Sequence, residues 1–288
     1  MPELPEVEAL CQDLTCRLKD RAVTDIEVLE ISALKTFNPP LEALQGGFFE
    51  GVTRHGKYLD FRVSGLHLIV HLARAGWIRW REELTPGPVR RARRSPVALR
   101  VVLDDGTGFE LTEAGTRKGL AVHVVRDPGE LPGIAGLGPD PLAEDFGKGQ
   151  LAEILSEAGA AQIKGVLRSQ SRIAGIGNAY SDEILHAARM SPFKAANSLN
   201  DDELEALHSA IQEVLGDAIS RSSGLAASEL KGEKKSHLAV HGRAGEPCPV
   251  CGTTIAEVSF ADSSLQYCPT CQTRGRILAD RRMSRLLK

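Results

Sequence analysis

No stretch of this chain reaches the ~18 uninterrupted apolar residues that a membrane helix needs, so no span is expected. The start is acidic and lacks a basic segment followed by an apolar one, so no secretory signal is expected and a cytoplasmic location follows. An excess of basic charge is also missing. Lys and Arg number 35 against 38 Asp and Glu, a net charge of −3 that argues against an indiscriminate nucleic-acid binder. Cysteine is scarce, at six residues, and no internal repeat is present. What remains is an ordinary globular balance, 42% apolar and 25% charged, in a chain of 288 residues that is long enough for two or three cored domains.

Local charge is less even than the sum. Arg90, Arg91, Arg93 and Arg94 form one basic cluster, and Lys231, Lys234 and Lys235 a second. Arg274, Arg276, Arg281, Arg282, Arg285 and Lys288 make a third in the tail. Such runs are commonly solvated faces, but three of them around a cleft suit phosphate contacts.

Along the chain, Val7, Leu10, Leu14 and Leu18 recur at helical spacing, predicting a helix over 5–18. Pro5 suits its first turn, and Glu6 and Glu8 its positive end. From 22 to 126 the period is near two: Leu59, Phe61 and Val63 alternate with Tyr58, Asp60 and Arg62. Asp105-Gly106 is a hairpin signal, and a loop is expected over 85–96. The segment 133–141 is rich in Gly and Pro and reads as a linker. Beyond it the period turns helical, with a capping box at Asn200–Glu203 ahead of Leu204, Leu207, Ile211, Val214, Leu215 and Ile219. Residues 222–244 read as loop. The expected fold is α+β: a β-sandwich with flanking helices over 1–132, a linker, a helical domain over 142–222, and a basic loop with a zinc-finger β-hairpin over 223–288.

Two stretches carry chemistry. Cys248-Pro-Val-Cys251 and Cys268-Pro-Thr-Cys271 are paired metal knuckles, and four thiolates can converge on one tetrahedral Zn²⁺ at about 2.3 Å. Disulfides are the other reading, and a reducing cytosol disfavours them. With four protein ligands the metal is structural. Cys11 and Cys16 are expected as free thiols. At the other end Met1-Pro2-Glu3 places a small residue second, so removal of Met1 is expected to leave Pro2 as a free secondary amine. An α-amino group titrates near 7.7–8, so part of it is nucleophilic at neutral pH and able to form a Schiff base with an aldehyde-like carbon. Glu3 stands ready to move protons.

MPELPEVE at the start, RHGKYLDF at 54–61, GIGNAYSDEIL at 175–185 and the finger at 248–271 follow one another in order and spacing. In this the chain resembles the formamidopyrimidine-DNA glycosylase and endonuclease VIII family of base-excision repair, over essentially its whole length. The resemblance implies a helix-two-turns-helix second domain, and double-stranded damaged DNA as partner, lying across the groove between domains. It also implies a monomer, nucleoid-associated when acting on DNA. Pro2 then attacks C1′ of a flipped nucleotide, Glu3 assists ring opening, and Lys57 clamps a phosphate or donates a proton. His71, Lys164 and Asn178 contact DNA, with glycines 175 and 177 letting backbone N–H groups approach a phosphate.

The chain also departs from the family. The Arg carried just before the third finger cysteine is absent from Asp262-Ser263-Ser264-Leu265-Gln266-Tyr267. The methionine that fills the void left by a flipped base appears as Arg74 in HLARAG, and TEAGTRKGL at 112–120 holds no Phe, although Arg117 or Lys118 could partly substitute. The capping loop SELKGEKKSHLAVHGR is short and poor in aromatics, so oxidised guanine is not a safe substrate assignment. A DNA-damage-binding protein with weakened chemistry, or a glycosylase for bulky or alkylated lesions, stands as the rival reading.

Overall fold

Period-two alternation builds two antiparallel sheets in the first part of the chain. The computed structural model describes residues 1–87, 95–260 and 263–278. Arg90, Arg91, Arg93, Arg94, Asp262, Arg281, Arg282, Arg285 and Lys288 lie outside the described residues. The strands are β1 (Val23–Val28), β2 (Phe49–His55), β3 (Tyr58–Val63), β4 (Leu66–His71), β5 (Gly76–Arg81), β6 (Val97–Leu103), β7 (Gly108–Glu113) and β8 (Ala121–Val125). Their orders are β1-β6-β7-β5 and β2-β3-β4-β8. Phe61 of one sheet stacks on Phe109 of the other with centroids 5.3 Å apart, and both rings are fully buried. Each such side chain contributes roughly 1.5–3 kcal/mol by leaving water. The row Leu59, Phe61, Val63 faces this core as the alternation predicts. Ile69, on the opposite row, is buried as well, because Val125 and Leu131 cover that face.

Helix α1 (Leu4–Leu18) closes the core with Val7, Leu10, Leu14 and Leu18. Arg54 of β2 donates to Glu8 at 2.9 Å, and Thr15 Oγ1 exchanges hydrogen bonds with the Val52 backbone, which fixes the helix on the strand. The chain divides into two compact units: Met1–Gly136 with Ser222–Lys231, and Leu137–Arg221 with Gly232–Lys288. The division falls inside the Gly- and Pro-rich segment, which begins within a one-turn helix, α2 (Pro132–Ala135).

The second unit holds α3 (Lys148–Ala158), α4 (Ile163–Arg168), α5 (Asn178–Ala187) and α6 (Asp201–Ser222). Leu207, Ile211 and Leu215 are the buried stripe of α6, joined by Ala210 and Ala218. Its start is the capping box that the sequence encodes: Glu203 N donates to Asn200 Oδ1 at 2.9 Å, and Asn200 N to Glu203 at 3.1 Å. The stretch 222–244 is not simply loop. It contains α7 (Leu230–His237), and Leu225, Ala227 and Leu230 join the first unit's core. Trp77 Nε1 donates to Ala227 O at 2.8 Å and pins this segment. The finger follows, with β9 (Ala256–Ser259), β10 (Ser264–Tyr267) and α8 (Pro269–Thr273).

Candidate nucleic-acid interface and metal centre

Pro2 is buried immediately ahead of α1, behind an exposed Met1. Glu3 is the N-cap: its carboxylate accepts from the Glu6 backbone, while Glu3 N donates to Glu6 Oε2 at 2.8 Å. Both carboxylates are almost fully buried, at 3% and 2% exposure. The capping thus holds two acids and the chain start in one fixed place at the positive end of a helix, which stabilises negative charge.

Lys57 belongs to the two-residue turn that joins β2 to β3, beside Gly56 at φ 55°, a position for which such hairpin turns favour glycine. It is buried, at 8% exposure, at the end of the core-facing row. His71 ends β4 and pairs with Tyr58 of β3, their rings 4.7 Å apart. Burial, then the Lys57 charge, then His123 push the His71 imidazole down to about 4, so it is neutral at pH 7. The next turn carries Arg74. It closes with Gly76 N donating to Leu72 O at 2.8 Å, and a Cβ at Gly76 would lie 2.1 Å from that oxygen, so only glycine fits. Glu113 holds the 114–120 loop: its Oε1 accepts from Gly119 N at 2.7 Å and Leu120 N at 3.0 Å, and Lys118 Nζ donates to Glu113 O at 2.8 Å. That backbone bond is where the structure puts Lys118, a candidate to stand in for the missing aromatic.

In the second unit, Gly175 at φ 85° and Gly177 lead into α5. Gln170 clamps the turn, accepting from Gly175 N at 3.0 Å and donating to Ile176 O at 2.8 Å. Lys164, expected at a DNA phosphate, is bonded within the protein. Its Nζ donates to Asn178 O at 3.1 Å, Ser181 Oγ at 2.8 Å and Asp182 Oδ1 at 2.6 Å, and the side chain is only 6% exposed. An ammonium has three donors, and all three go to protein. Asn178 Nδ2 donates to Ser264 O of the finger hairpin at 2.8 Å, and its Oδ1 is buried without a partner.

The four finger cysteines meet as their spacing predicts. All Sγ atoms lie within 4.8 Å of one another, with Cys251–Cys268 at 3.3 Å and Cys248–Cys271 at 4.0 Å. A tetrahedral zinc with bonds of about 2.3 Å needs sulfurs roughly 3.8 Å apart, so the set fits Zn²⁺. Cys11 and Cys16 are free, and burial pushes the Cys11 thiol far up, which makes it inert. In the finger turn Phe260 N donates to Ser263 O at 2.7 Å. Ser263 and Ser264 stand where the family's Arg would be.

Sequence reading missed the acids and the histidine of α5. Asp182 and Glu183 are buried at 1% and 7% exposure. Glu183 accepts from Ala239, Val240 and His241 N, and Asp182 from His241 Nδ1. A signal existed for two of them: polar or charged residues at 178, 182 and 186 share one helical face.

Three family models match the chain: the formamidopyrimidine-DNA glycosylase N-terminal domain over 1–121, that enzyme's H2TH domain over 137–229, and a zinc finger found in FPG and IleRS over 245–274. A formamidopyrimidine-DNA glycosylase-like protein of Mycobacterium tuberculosis is 59% identical over 152 residues, 53% of this chain and 94% of that protein. The formamidopyrimidine-DNA glycosylase of Symbiobacterium thermophilum is 38% identical over 98% of this chain and 93% of its own. Among solved structures, the Lactococcus lactis enzyme with abasic-site DNA superposes with a TM-score of 0.82 at 29% identity, over 94% of this chain and 99% of that one. The same enzyme with DNA containing N7-benzyl-Fapy-dG gives 0.82 at 29%, over 94% and 100%. With models matched from its first residue through the finger, on the fold these enzymes use to hold DNA, the chain belongs to the formamidopyrimidine-DNA glycosylase family of base-excision repair.

Proposed function

We propose that this glycosylase joins base removal to strand cleavage through the amine of Pro2. Once Met1 is removed, the nitrogen lone pair attacks C1′ of the damaged nucleotide, the C1′–N bond to the base breaks, and the departing base takes up the proton that the amine gives up. A proton delivered through Glu3 opens the C1′–O4′ bond, leaving an iminium between Pro2 and C1′. Loss of a C2′ proton then expels the 3′ phosphate in a β-elimination, and water releases the sugar remnant and the free amine. Lys57 and His71 bind phosphate beside the lesion, and Asn178 at the start of α5 binds another. Lys164 acts at one remove in this reading: its bonds to Asn178 O and Asp182 position the α5 N-terminus.

The observation that carries the reading is the buried Pro2 against the Glu3–Glu6 capping box, which fixes the nucleophile beside its proton carrier. Damaged double-stranded DNA is the substrate, met as a monomer in the cytoplasm, at the nucleoid. Borohydride trapping on a panel of lesion-bearing and abasic duplexes tests it, because reduction fixes the iminium as a covalent adduct. Native protein is expected to trap the abasic duplex, Pro2→Gly to trap it weakly, and protein with a retained N-terminal tag not at all. Equal trapping by the tagged protein overturns Pro2 as nucleophile. Tight binding of lesions with no trapping would instead favour a damage-binding protein, the reading that Arg74 and Ser263 support.

A further inference from the structure

Asn178, Asp182 and His186 follow one another at intervals of four, so they form one stripe along α5. Every one of them bonds to the finger or to the segment that enters it. Asn178 Nδ2 reaches Ser264 O at 2.8 Å; Asp182 Oδ2 accepts from His241 Nδ1 at 2.7 Å and Gln266 N at 3.3 Å. His186 Nε2 lies 3.3 Å from the sulfur of Cys248. Both partners of that last contact are buried, at 6% and 3% exposure.

The chemistry of the metal gives this contact a purpose. Four thiolates around one Zn²⁺ carry an excess of two negative charges, and in a buried site that excess is costly unless donors face the sulfurs. Cys268 Sγ has such a donor in Cys271 N at 3.5 Å. Cys248 is among the most enclosed of the four, and the ring nitrogen of His186 is the donor aimed at it. We propose that His186 is a positioning residue of the zinc centre, its Nε2–H donating to the Cys248 thiolate and holding that ligand in the geometry the metal needs. The bond also fixes the ring's tautomer, with Nδ1 unprotonated. This inference rests on the zinc site and is independent of the lyase chemistry.

The test uses the full chain loaded with one equivalent of zinc, and reads metal release to a chromogenic chelator. His186→Phe keeps a buried ring but removes the donor, and is expected to release zinc about ten- to a hundredfold faster, as loss of an outer-sphere partner typically does. His186→Gln carries an amide N–H to nearly the same place and is expected to stay within about threefold of the parent chain, well short of the loss typical when such a partner is removed. Equal release from the parent and His186→Phe overturns the proposal. So does fast release from both variants, because a donor restored by the glutamine amide then fails to hold the metal. Should His186→Phe fail to fold, the parent chain decides. With ¹¹³Cd in the site and ¹⁵N in the histidines, a slowly exchanging His186 Nε2–H coupled to the metal through sulfur is expected, and its absence overturns the proposal.

Discussion

At the scale of single residues, His71 shows how burial changes what a motif residue can do. The fold holds its imidazole at about 4, against 6.5 for the free side chain. Between those values the unfolded chain binds the proton and the folded one does not, so stability rises with pH across that window. The contribution is complete above about 6.5 and is lost as pH falls towards 4, each unit of depression being worth about 1.4 kcal/mol. Denaturant unfolding at pH 7 and pH 4.5 is expected to show a smaller loss in His71→Gln than in the parent chain. A neutral ring also offers phosphate an N–H and no charge. The salt dependence of DNA affinity is therefore expected to fall by about one charge in Lys57→Met and to stay unchanged in His71→Gln. Ser263 raises the opposite question, of what a missing charge costs. A bidentate Arg on the phosphate beside the lesion is worth about 1.5–3 kcal/mol, roughly ten- to a hundredfold. Incision of an abasic duplex is expected to stop mainly after β-elimination, and Ser263→Arg to restore part of the δ-product on a sequencing gel. A parent chain that yields mainly the doubly phosphorylated gap overturns this. The four finger cysteines were legible from type and spacing, and they meet as read. The neutrality of His71 was not, because it depends on what packs around the ring.

Elements were legible where their signal is local. The α1 stripe, the Asp105-Gly106 hairpin and the Asn200–Glu203 box are short-range patterns, and each forms as read. The segment 222–244 was read as loop because its helix is short and mostly polar, resting on one buried Leu230 and on Glu233 bonded to Arg221 and His237. The partners of Lys164 were not legible for a related reason: sequence gives a lysine's charge but not the acid that waits for it. Its bond to Asp182 ties α4 to α5 inside the fold, where an unpaired carboxylate is expensive. Lys164→Met is therefore expected to destabilise the second unit by about 3–5 kcal/mol in denaturant unfolding. Where the Met variant still folds, its DNA salt dependence is expected to match that of the parent chain. A salt slope reduced by about one charge would return Lys164 to the phosphate.

At the scale of the whole molecule, the two units contain different reporters and different sources of stability. The chain has two tryptophans, Trp77 and Trp80, and both lie on β5 of the first unit. That unit is held by a two-sheet apolar core, with no cluster of metal-ligating side chains among its described residues. Among the described residues the finger has small clusters, Val240 and Ile255 with the cysteines and Val258, Leu265 and Tyr267 on the hairpin, too little to order such a segment without zinc. Chelation should then release about one equivalent of zinc and free the finger while the sandwich stands. Tyr267 is 1% exposed and its hydroxyl accepts from Leu278 N at 2.8 Å, so tyrosine absorbance is expected to report the loss of the finger. Tryptophan emission is expected to stay in place, and to shift only in a separate denaturant transition whose midpoint is the same with and without chelator. DNA affinity is expected to follow the tyrosine signal and not the tryptophan one. A tryptophan shift on chelation alone would mean that the metal supports the first unit as well, and elemental analysis of fresh protein without zinc would remove the premise.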